Sequence, residues 1–239
     1  MKNIFFALIL NFFFIQLAGA DENIEKYKKE CMEFINRPKV ELFSSYGKLK
    51  YRFDKDENFL KSETEKKFAE ENVTMDEDFL PVGLTKVRDV FDFNFTAGTL
   101  ALNQNYQCVY PETINVRMAY SMPTIYILNT LEVDSCLYNL ALRHEKTHMQ
   151  IYIESLDYFL PKLKQYLDGL YDKLGVMVIS KNESSELAAQ KLNANYLGAV
   201  QAKVEAWQHE TAQEQLKLDT MENYIVENAI CQSVENENN

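Results

Sequence analysis

The sequence predicts an α+β fold, in which a small mixed or antiparallel sheet packs on two long C-terminal helices. Between about residues 41 and 130, apolar and polar side chains alternate along several short stretches, which is the period of half-buried strands. From about residue 133 onward, apolar residues recur at spacings of three and four, which is typical of amphipathic helices. The strand-rich part therefore precedes the helical part.

The first 20 residues are typical of a secretory signal peptide. Lys2 supplies a positive charge, the residues from 4 to 17 are almost all apolar, and residues 18–20 (Ala-Gly-Ala) match an A-x-A cleavage site. The apolar run is short for a membrane span, which needs about 20 residues. We therefore expect the protein to be exported, periplasmic or secreted, with no stable membrane anchor after cleavage.

The remaining residues, 21–239, are enough for a single domain with a substantial core. Without Lys2, the formal net charge of −11 becomes −12, and no basic run follows. An acidic chain is repelled by phosphate groups, which disfavours nucleic acids and anionic membrane surfaces as partners. The sequence leaves the oligomeric state open.

The strand-rich part begins after a short amphipathic helix, which we expect over residues 21–37 and ending near Pro38. Charged residues between 61 and 78 predict a helix or an exposed loop. The stretches predicted as strands are residues 48–53, 99–102, 114–120 and the compact apolar run 124–128.

The first long helix is expected to start near Val133. Its apolar stripe consists of Leu137, Leu140, Ala141, His144, His148, Ile151 and Ser155. Pro161 is expected to kink or end this helix, because proline lacks the N–H that a helix interior needs. More helix should follow to about Leu174.

The second long helix is predicted over residues 186–229. Residues 175–180 precede it and should form a turn or a short strand, and either Asn182 or Ser184 can cap its first turn. Its apolar line consists of Val200, Val204, Trp207, Thr211, Leu218, Met221 and Ile225.

Residues 144–148, His-Glu-Lys-Thr-His, match the H-E-x-x-H pattern on the first long helix. Residues four apart share one helix face, so His144 and His148 can bind the same ion while Glu145 acts as a base beside it. A catalytic zinc ion needs three protein ligands and an open position, and the pattern supplies two of the ligands. Two histidines packed in a core would give the same pattern without a metal.

A third ligand must come from elsewhere in the chain. Asp168 follows His148 by twenty residues, which places it about 30 Å away along an unbroken helix. If the two long helices turn near residues 176–182, the position that faces the motif lies at about 206–218. At or near the borders of this window lie Glu205, His209, Glu214 and Asp219.

These candidates differ in their place on the second long helix. Glu214 falls on the apolar line, where a buried carboxylate needs a cation or a hydrogen-bond partner. His209 lies opposite that line, which favours exposure to solvent, and Asp219 lies at its border. The residues alone leave the choice open.

Four cysteines, all after residue 20, indicate two disulfides in an oxidising compartment, and three pairings are possible. We favour Cys136 with Cys231 and Cys31 with Cys108, because the first pair would join the motif helix to the C-terminal helix. No pair has C-x-x-C spacing, which disfavours zinc binding by thiolates.

The last 100 residues or so resemble a family of exported, uncharacterised bacterial proteins that are assigned to the zinc-dependent proteases of the zincin class. The resemblance is carried by residues 136–139 (Cys-Leu-Tyr-Asn), the H-E-x-x-H motif, the pairs at 219–220 (Asp-Thr) and 223–224 (Asn-Tyr), and Cys231. It implies a zincin-like fold, with Asp219 as a metal ligand or a partner of the ligands. It also implies Tyr224 as a hydrogen-bond donor to the oxyanion.

Together, these features predict an exported zinc peptidase that hydrolyses polypeptides. His144, His148 and Asp219 would hold Zn²⁺, Glu145 would be the general base, and Tyr224 would stabilise the oxyanion. The alternative is an exported scaffold or binding protein with a structural metal or none.

Overall fold

The computed structural model describes residues 23–74 and 80–237, and it confirms a mixed α+β fold. The predicted signal peptide at residues 1–20 lies outside the described residues. Within them, no helix combines the length and the apolar character that a membrane span requires.

The chain contains five helices and five strands within its described residues. In order, they are α1 (residues 23–34), β1 (Lys39–Ser45), β2 (Lys50–Lys55), α2 (Glu57–Glu70), β3 (Gly83–Ala101), β4 (Tyr106–Leu128), α3 (Cys136–Leu174), β5 (Met177–Ser180), α4 (Ser185–Leu218) and α5 (Met221–Glu237).

The sheet is organised around β4, which pairs with each of the other four strands. β2 runs parallel to β4, with Lys50 opposite Thr124, whereas β5 runs antiparallel, with Tyr106 opposite Ser180. The sheet is therefore mixed, which is one of the two predicted alternatives, a mixed or an antiparallel sheet. Its strands β3 and β4, at 19 and 23 residues, are much longer than the short stretches that alternation predicts. In β4, buried residues often follow one another directly, which hides the period of two.

The described residues group into two compact units. The first contains residues 23–41, 93–116 and 164–201, and the second contains residues 42–92, 117–163 and 202–237. In the first unit, the buried residues Cys31, Ile35, Cys108, Tyr171 and Val176 form one core cluster.

In the second unit, β4 packs on the N-terminal part of α3. Ile125 and Ile127 contact Ala141 in one buried cluster, and the hydroxyl of Tyr120 donates to the carbonyl of Tyr152 at 3.0 Å. The C-terminal part of α4 lies antiparallel to α3, and Trp207 Nε1 donates to Ser155 Oγ at 2.8 Å. The predicted packing of sheet on long helices is present in this unit.

α3 continues through Pro161 to Leu174, so of the two predicted effects of the proline, a kink or the end of the helix, the second is wrong. An interior proline costs a helix about 3 kcal/mol, because it removes a hydrogen bond and crowds the preceding turn. Leu156 and Phe159 before the proline and Leu163 after it are all buried. Burial on both sides of Pro161 offsets this cost and keeps one helix.

The second predicted long helix is interrupted, because α4 ends at Leu218 and α5 begins at Met221. Asn223 Nδ2 donates to the carbonyls of Lys217 and Leu218, both at 3.1 Å, and so satisfies the free end of α4. Thr220 Oγ1 accepts from the backbone N–H of Asn223 at 3.3 Å, which caps α5. This break places Asp219 outside both helices.

The start of α4 agrees with one of the two predicted caps. Ser184 Oγ accepts from the backbone N–H of Leu187 at 3.2 Å, and its carbonyl accepts from Ala188 at 3.1 Å. Ser184 is therefore the N-cap. The residues before it form β5, which confirms the short strand.

Both predicted disulfides are present, since Cys31 bonds to Cys108 and Cys136 bonds to Cys231. The first lies within the first unit and the second within the second unit. Because Cys136 begins α3 and Cys231 lies in α5, the second bridge holds the last helix on the motif helix.

Replacing Cys136 and Cys231 together with serine is expected to lower the free energy of unfolding by about 2–5 kcal/mol, because the unfolded chain loses a long cross-link. The bridge closes a segment with a sequence separation of 95 residues. Guanidinium titration of the variant and the parent protein measures the difference. An unchanged midpoint would show that α5 is held by its other contacts alone.

Candidate metal centre

The motif residues lie in the second unit, where α3 turns its buried face to the protein interior. His144 and Glu145 are each 3% exposed and His148 is 2% exposed. Their potential ligand atoms all lie within 4.8 Å of one another. The stripe that the sequence predicts for α3 therefore does place both imidazoles on the inner face.

Asp219 joins the two histidines from the break between α4 and α5. Its Oδ1 atom lies 3.2 Å from His144 Nε2 and 2.7 Å from His148 Nε2, and the two Nε2 atoms are 3.2 Å apart. In a tetrahedral zinc site with bonds of 2.0–2.1 Å, ligand atoms lie about 3.3 Å from one another. The three atoms thus have nearly the separations that one small cation requires.

The outer nitrogens of both rings face hydrogen-bond acceptors. His144 Nδ1 lies 3.1 Å from Glu227 Oε2 in α5. His148 Nδ1 contacts Gln215 Oε1, and the Nε2 of the same glutamine donates to the His148 carbonyl at 3.1 Å. Because a carbonyl can only accept, the amide of Gln215 is oriented with its oxygen toward the ring. Each Nδ1 is therefore positioned to donate a hydrogen bond, as in histidines that bind metals through Nε2.

This arrangement directs three acceptors at the same point. When each ring carries a single proton and that proton is on Nδ1, the Nε2 lone pairs face each other and Asp219 Oδ1. Burial works against protonation of His144, but its hydrogen bond to Asp219 and the nearby carboxylates outweigh burial and raise its pKa. The cluster therefore favours a positive charge between these atoms.

Lys67 holds the second oxygen of Asp219. Its Nζ lies 2.9 Å from Asp219 Oδ2, so Oδ1 alone is directed at the histidines. Burial works against the charged form of Asp219, but the contacts with His144, His148 and Lys67 outweigh it and hold its pKa well below the usual range. Asp219 is thus an ionised side chain in a fixed orientation.

Glu145 lies next to this cluster in a tightly enclosed space. Within the described residues, its Oε2 atom is buried and has no hydrogen-bond partner. A cavity of about 10 Å³, lined by Glu145, His148, Asp219 and Tyr224 among others, is large enough for one water molecule. Burial raises the pKa of the Glu145 carboxyl above its usual value, which is the direction that a general base at neutral pH requires.

Tyr224 reaches the same point from the first turns of α5. Its hydroxyl lies 3.4 Å from His144 Nε2 and 3.5 Å from Asp219 Oδ1, and its ring is 5.1 Å from the His144 ring. Burial, followed by the charges of nearby carboxylates, raises its pKa well above the usual range. The hydroxyl is therefore protonated and able to donate a hydrogen bond.

Gly83 makes room for Glu145, and Gly83→Ala is expected to disturb the site. A Cβ atom there would lie 2.6 Å from Glu145 Oε1 and 2.7 Å from its Cγ, so the carboxylate must move. Overpacking of this kind costs about 1–3 kcal/mol. We expect a lower midpoint of thermal unfolding and weaker metal binding. Gly169→Ala is the matched control, because a Cβ atom there meets nothing within 4 Å.

The other candidates for the third ligand lie elsewhere. Glu214 is exposed and pairs with Lys217 at 2.5 Å, so the prediction that it lies on the buried line is wrong. The side chain of His209 is 71% exposed, with Nδ1 4.0 Å from Glu71. Asp168, in the first unit, is exposed and pairs with Lys164.

Four residues of the site were not among the sequence candidates: Gly83, Lys67, Gln215 and Glu227. Gln215 was recognisable in part, since it follows Thr211 by four residues and continues the line of Val200, Val204 and Trp207. The other three lie on β3, α2 and α5, and their local sequence carries no signal of a metal site. Only tertiary structure brings them to α3.

A comparison of the chain with protein-family models, with curated proteins and with solved structures finds no match. The family resemblance noted in the sequence therefore gains no support from these comparisons.

Proposed function

We propose that the protein is an exported zinc-dependent peptidase with a zincin-like fold. The observation that carries the proposal is the convergence of His144 Nε2, His148 Nε2 and Asp219 Oδ1, at separations of 2.7–3.2 Å, with both Nδ1 atoms facing acceptors. Two disulfides are compatible with an oxidising compartment outside the cytoplasm.

The side chains around this point fit Zn²⁺ in charge as well as in geometry. Glu145, Asp219 and Glu227, when ionised, carry three negative charges, and Lys67 balances one of them. The remaining excess of two equals the charge of the ion. Two imidazoles and one carboxylate are also the ligand set found in a well-known group of catalytic zinc sites.

In the proposed reaction, Zn²⁺ held by His144, His148 and Asp219 would be a Lewis acid, able to lower the pKa of water to about 7 and to polarise the peptide carbonyl. Glu145 accepts a proton from the attacking water, whose oxygen bonds to the carbonyl carbon. When the C–N bond breaks, Glu145 returns the proton to the leaving amine. Tyr224 donates a hydrogen bond to the oxyanion, and Lys67 keeps Asp219 in its orientation.

A second candidate is an exported scaffold or binding protein with a structural zinc ion. It is favoured by the enclosure of the site, since the motif residues are 2–3% exposed and the cavity beside Glu145 has room for about one water. Structural zinc sites are closed, whereas catalytic sites keep a position open to substrate. A peptidase would need Lys67 or a neighbouring segment to move when substrate binds.

Metal removal and return tests the proposal. Protein freed of metal with a chelator is expected to lose hydrolysis of a denatured protein substrate and to regain it with one equivalent of Zn²⁺. Mass spectrometry of the products reports peptide cleavage, and elemental analysis reports metal content. One zinc per chain without hydrolysis would favour the scaffold, and no retained zinc would overturn both candidates.

A further inference from the structure

The second unit contains a cavity of about 490 Å³ beside the metal centre. Its walls come from α2, β3, β4, α3 and α4, and it shares Lys67 and Gln215 with the surroundings of the metal centre. This volume is within the range of about 300–1,000 Å³ that small-molecule sites occupy. The proposed reaction assigns it no role.

The described residues that line this cavity carry an excess of negative charge. Glu70, Glu71, Asp89 and Glu205 contribute four carboxylates, and Lys67 contributes an ammonium group. Since Lys67 Nζ lies 2.9 Å from Asp219, its charge is already balanced within the metal centre. Burial raises the pKa of Asp89, and a hydrogen bond that it accepts from the neutral amide of Gln208 at 3.0 Å works in the opposite direction without adding a counter-charge. The cavity therefore attracts cations.

Three aromatic side chains, Tyr120, Tyr152 and Trp207, form an aromatic wall of the cavity. Tyr120 lies between the two others, with ring centroids 5.3 Å from Tyr152 and 6.4 Å from Trp207. Trp207 is fixed by its hydrogen bond to Ser155 and by stacking on Phe159 at 5.0 Å. Aromatic surface beside carboxylates suits a side chain with an apolar stem and a cationic end, which describes lysine and arginine.

A continuous set of lining residues leads from this cavity to Glu145. A cavity of about 260 Å³ shares Lys67, Glu70, Val87 and Tyr152 with the large cavity. It also shares Lys67, Leu84 and Thr85 with the small cavity that contains Glu145. Lys67 thus lines all three cavities. A peptide with one side chain in the large cavity can therefore extend along this lining to the metal centre.

We propose that the large cavity binds a lysine or arginine side chain of the polypeptide substrate, so that the enzyme selects segments carrying a basic residue near the cleaved bond. This inference rests on the proposed peptidase function. The carboxylates of Asp89 and Glu70 attract the charge, and the aromatic wall holds the methylene stem.

Binding can be measured apart from cleavage in zinc-loaded Glu145→Gln protein. The probes are a blocked pentapeptide, acetyl-Ala-Ala-Lys-Ala-Ala-amide, and the same peptide with norleucine in place of lysine. Trp207 is the only tryptophan in the chain and lines the cavity, so its fluorescence reports occupancy directly. We expect the lysine peptide to bind about tenfold more tightly, because norleucine keeps the stem and loses the charge.

Two variants in the Glu145→Gln background complete the test. Asp89→Asn with Glu70→Gln should remove most of the preference for lysine, whereas Glu214→Gln, exposed and paired with Lys217, should leave it unchanged. Equal binding of the two peptides, or a preference that survives the double substitution, would overturn the inference.

Cleavage by the native enzyme separates this inference from the proposed function. Hydrolysis without any preference for basic residues would support the proposed peptidase function, but it would overturn the proposal that the large cavity selects a basic side chain. The protein could also hold zinc and prefer the lysine peptide, yet cleave nothing. This result would overturn both the proposed peptidase function and the role of the cavity in substrate selection.

Discussion

Glu145→Gln is expected to lower peptide hydrolysis by about 10²–10⁴-fold, the usual contribution of a general base. Glutamine has nearly the same shape, but it cannot accept a proton from water at neutral pH. The buried carboxylate has an oxygen without a partner among the described residues, beside a cavity with room for one water. Rates with a fluorescent protein substrate, at zinc saturation, measure the effect.

The same substitution should leave zinc content and fold intact, because Glu145 is not one of the three converging ligands. Elemental analysis and circular dichroism provide this control. If Glu145→Gln retained full activity, the proton transfer assigned to this residue would be wrong. If it lost zinc as well, Glu145 would have to be counted as a ligand.

Asp219→Asn is expected to weaken zinc binding by more than about 100-fold. Loss of an outer hydrogen-bond partner alone typically costs about 10–100-fold in metal affinity, and Asp219 contacts both histidines directly. The amide is neutral, and Lys67 would face it without a counter-charge. Competition with a chromophoric chelator measures the affinity.

Glu214→Gln is the matched control, since it removes a carboxylate from α4 that lies outside the site. Its zinc affinity should equal that of the parent protein. Lys67→Met should show an intermediate loss of about 10–100-fold, because it frees Asp219 Oδ2 without removing a ligand. Equal affinity for Asp219→Asn and the parent protein would exclude Asp219 as a ligand.

Much of the fold could be predicted from local patterns in the sequence. The apolar stripe of α3, the cap at Ser184 and the two disulfides were each predicted from simple rules of spacing and residue type, and the structure agrees with them. The break at residues 219–220 was missed because its cause is a set of side-chain hydrogen bonds from Asn223 and Thr220. No loss of helical periodicity marks it.

Some residues of the candidate site could likewise be predicted from the sequence, and others could not. His144, Glu145 and His148 are set by helical spacing, so the sequence was sufficient to place them together. Asp219 required knowledge of how α4 lies against α3, and the sequence left Glu214 and His209 open beside it. Lys67 and Glu227 come from α2 and α5, where a charged residue usually indicates no more than exposure.

X-ray absorption at the zinc edge of the purified, zinc-loaded protein tests most directly whether these three side chains hold one ion. We expect one zinc per chain, with two imidazole nitrogens at about 2.0–2.1 Å and carboxylate oxygen at about 2.0–2.2 Å. One imidazole should disappear from the spectrum in His148→Ala protein. A protein that retains no zinc, or a spectrum without imidazole scattering, would show that His144, His148 and Asp219 do not form a zinc site.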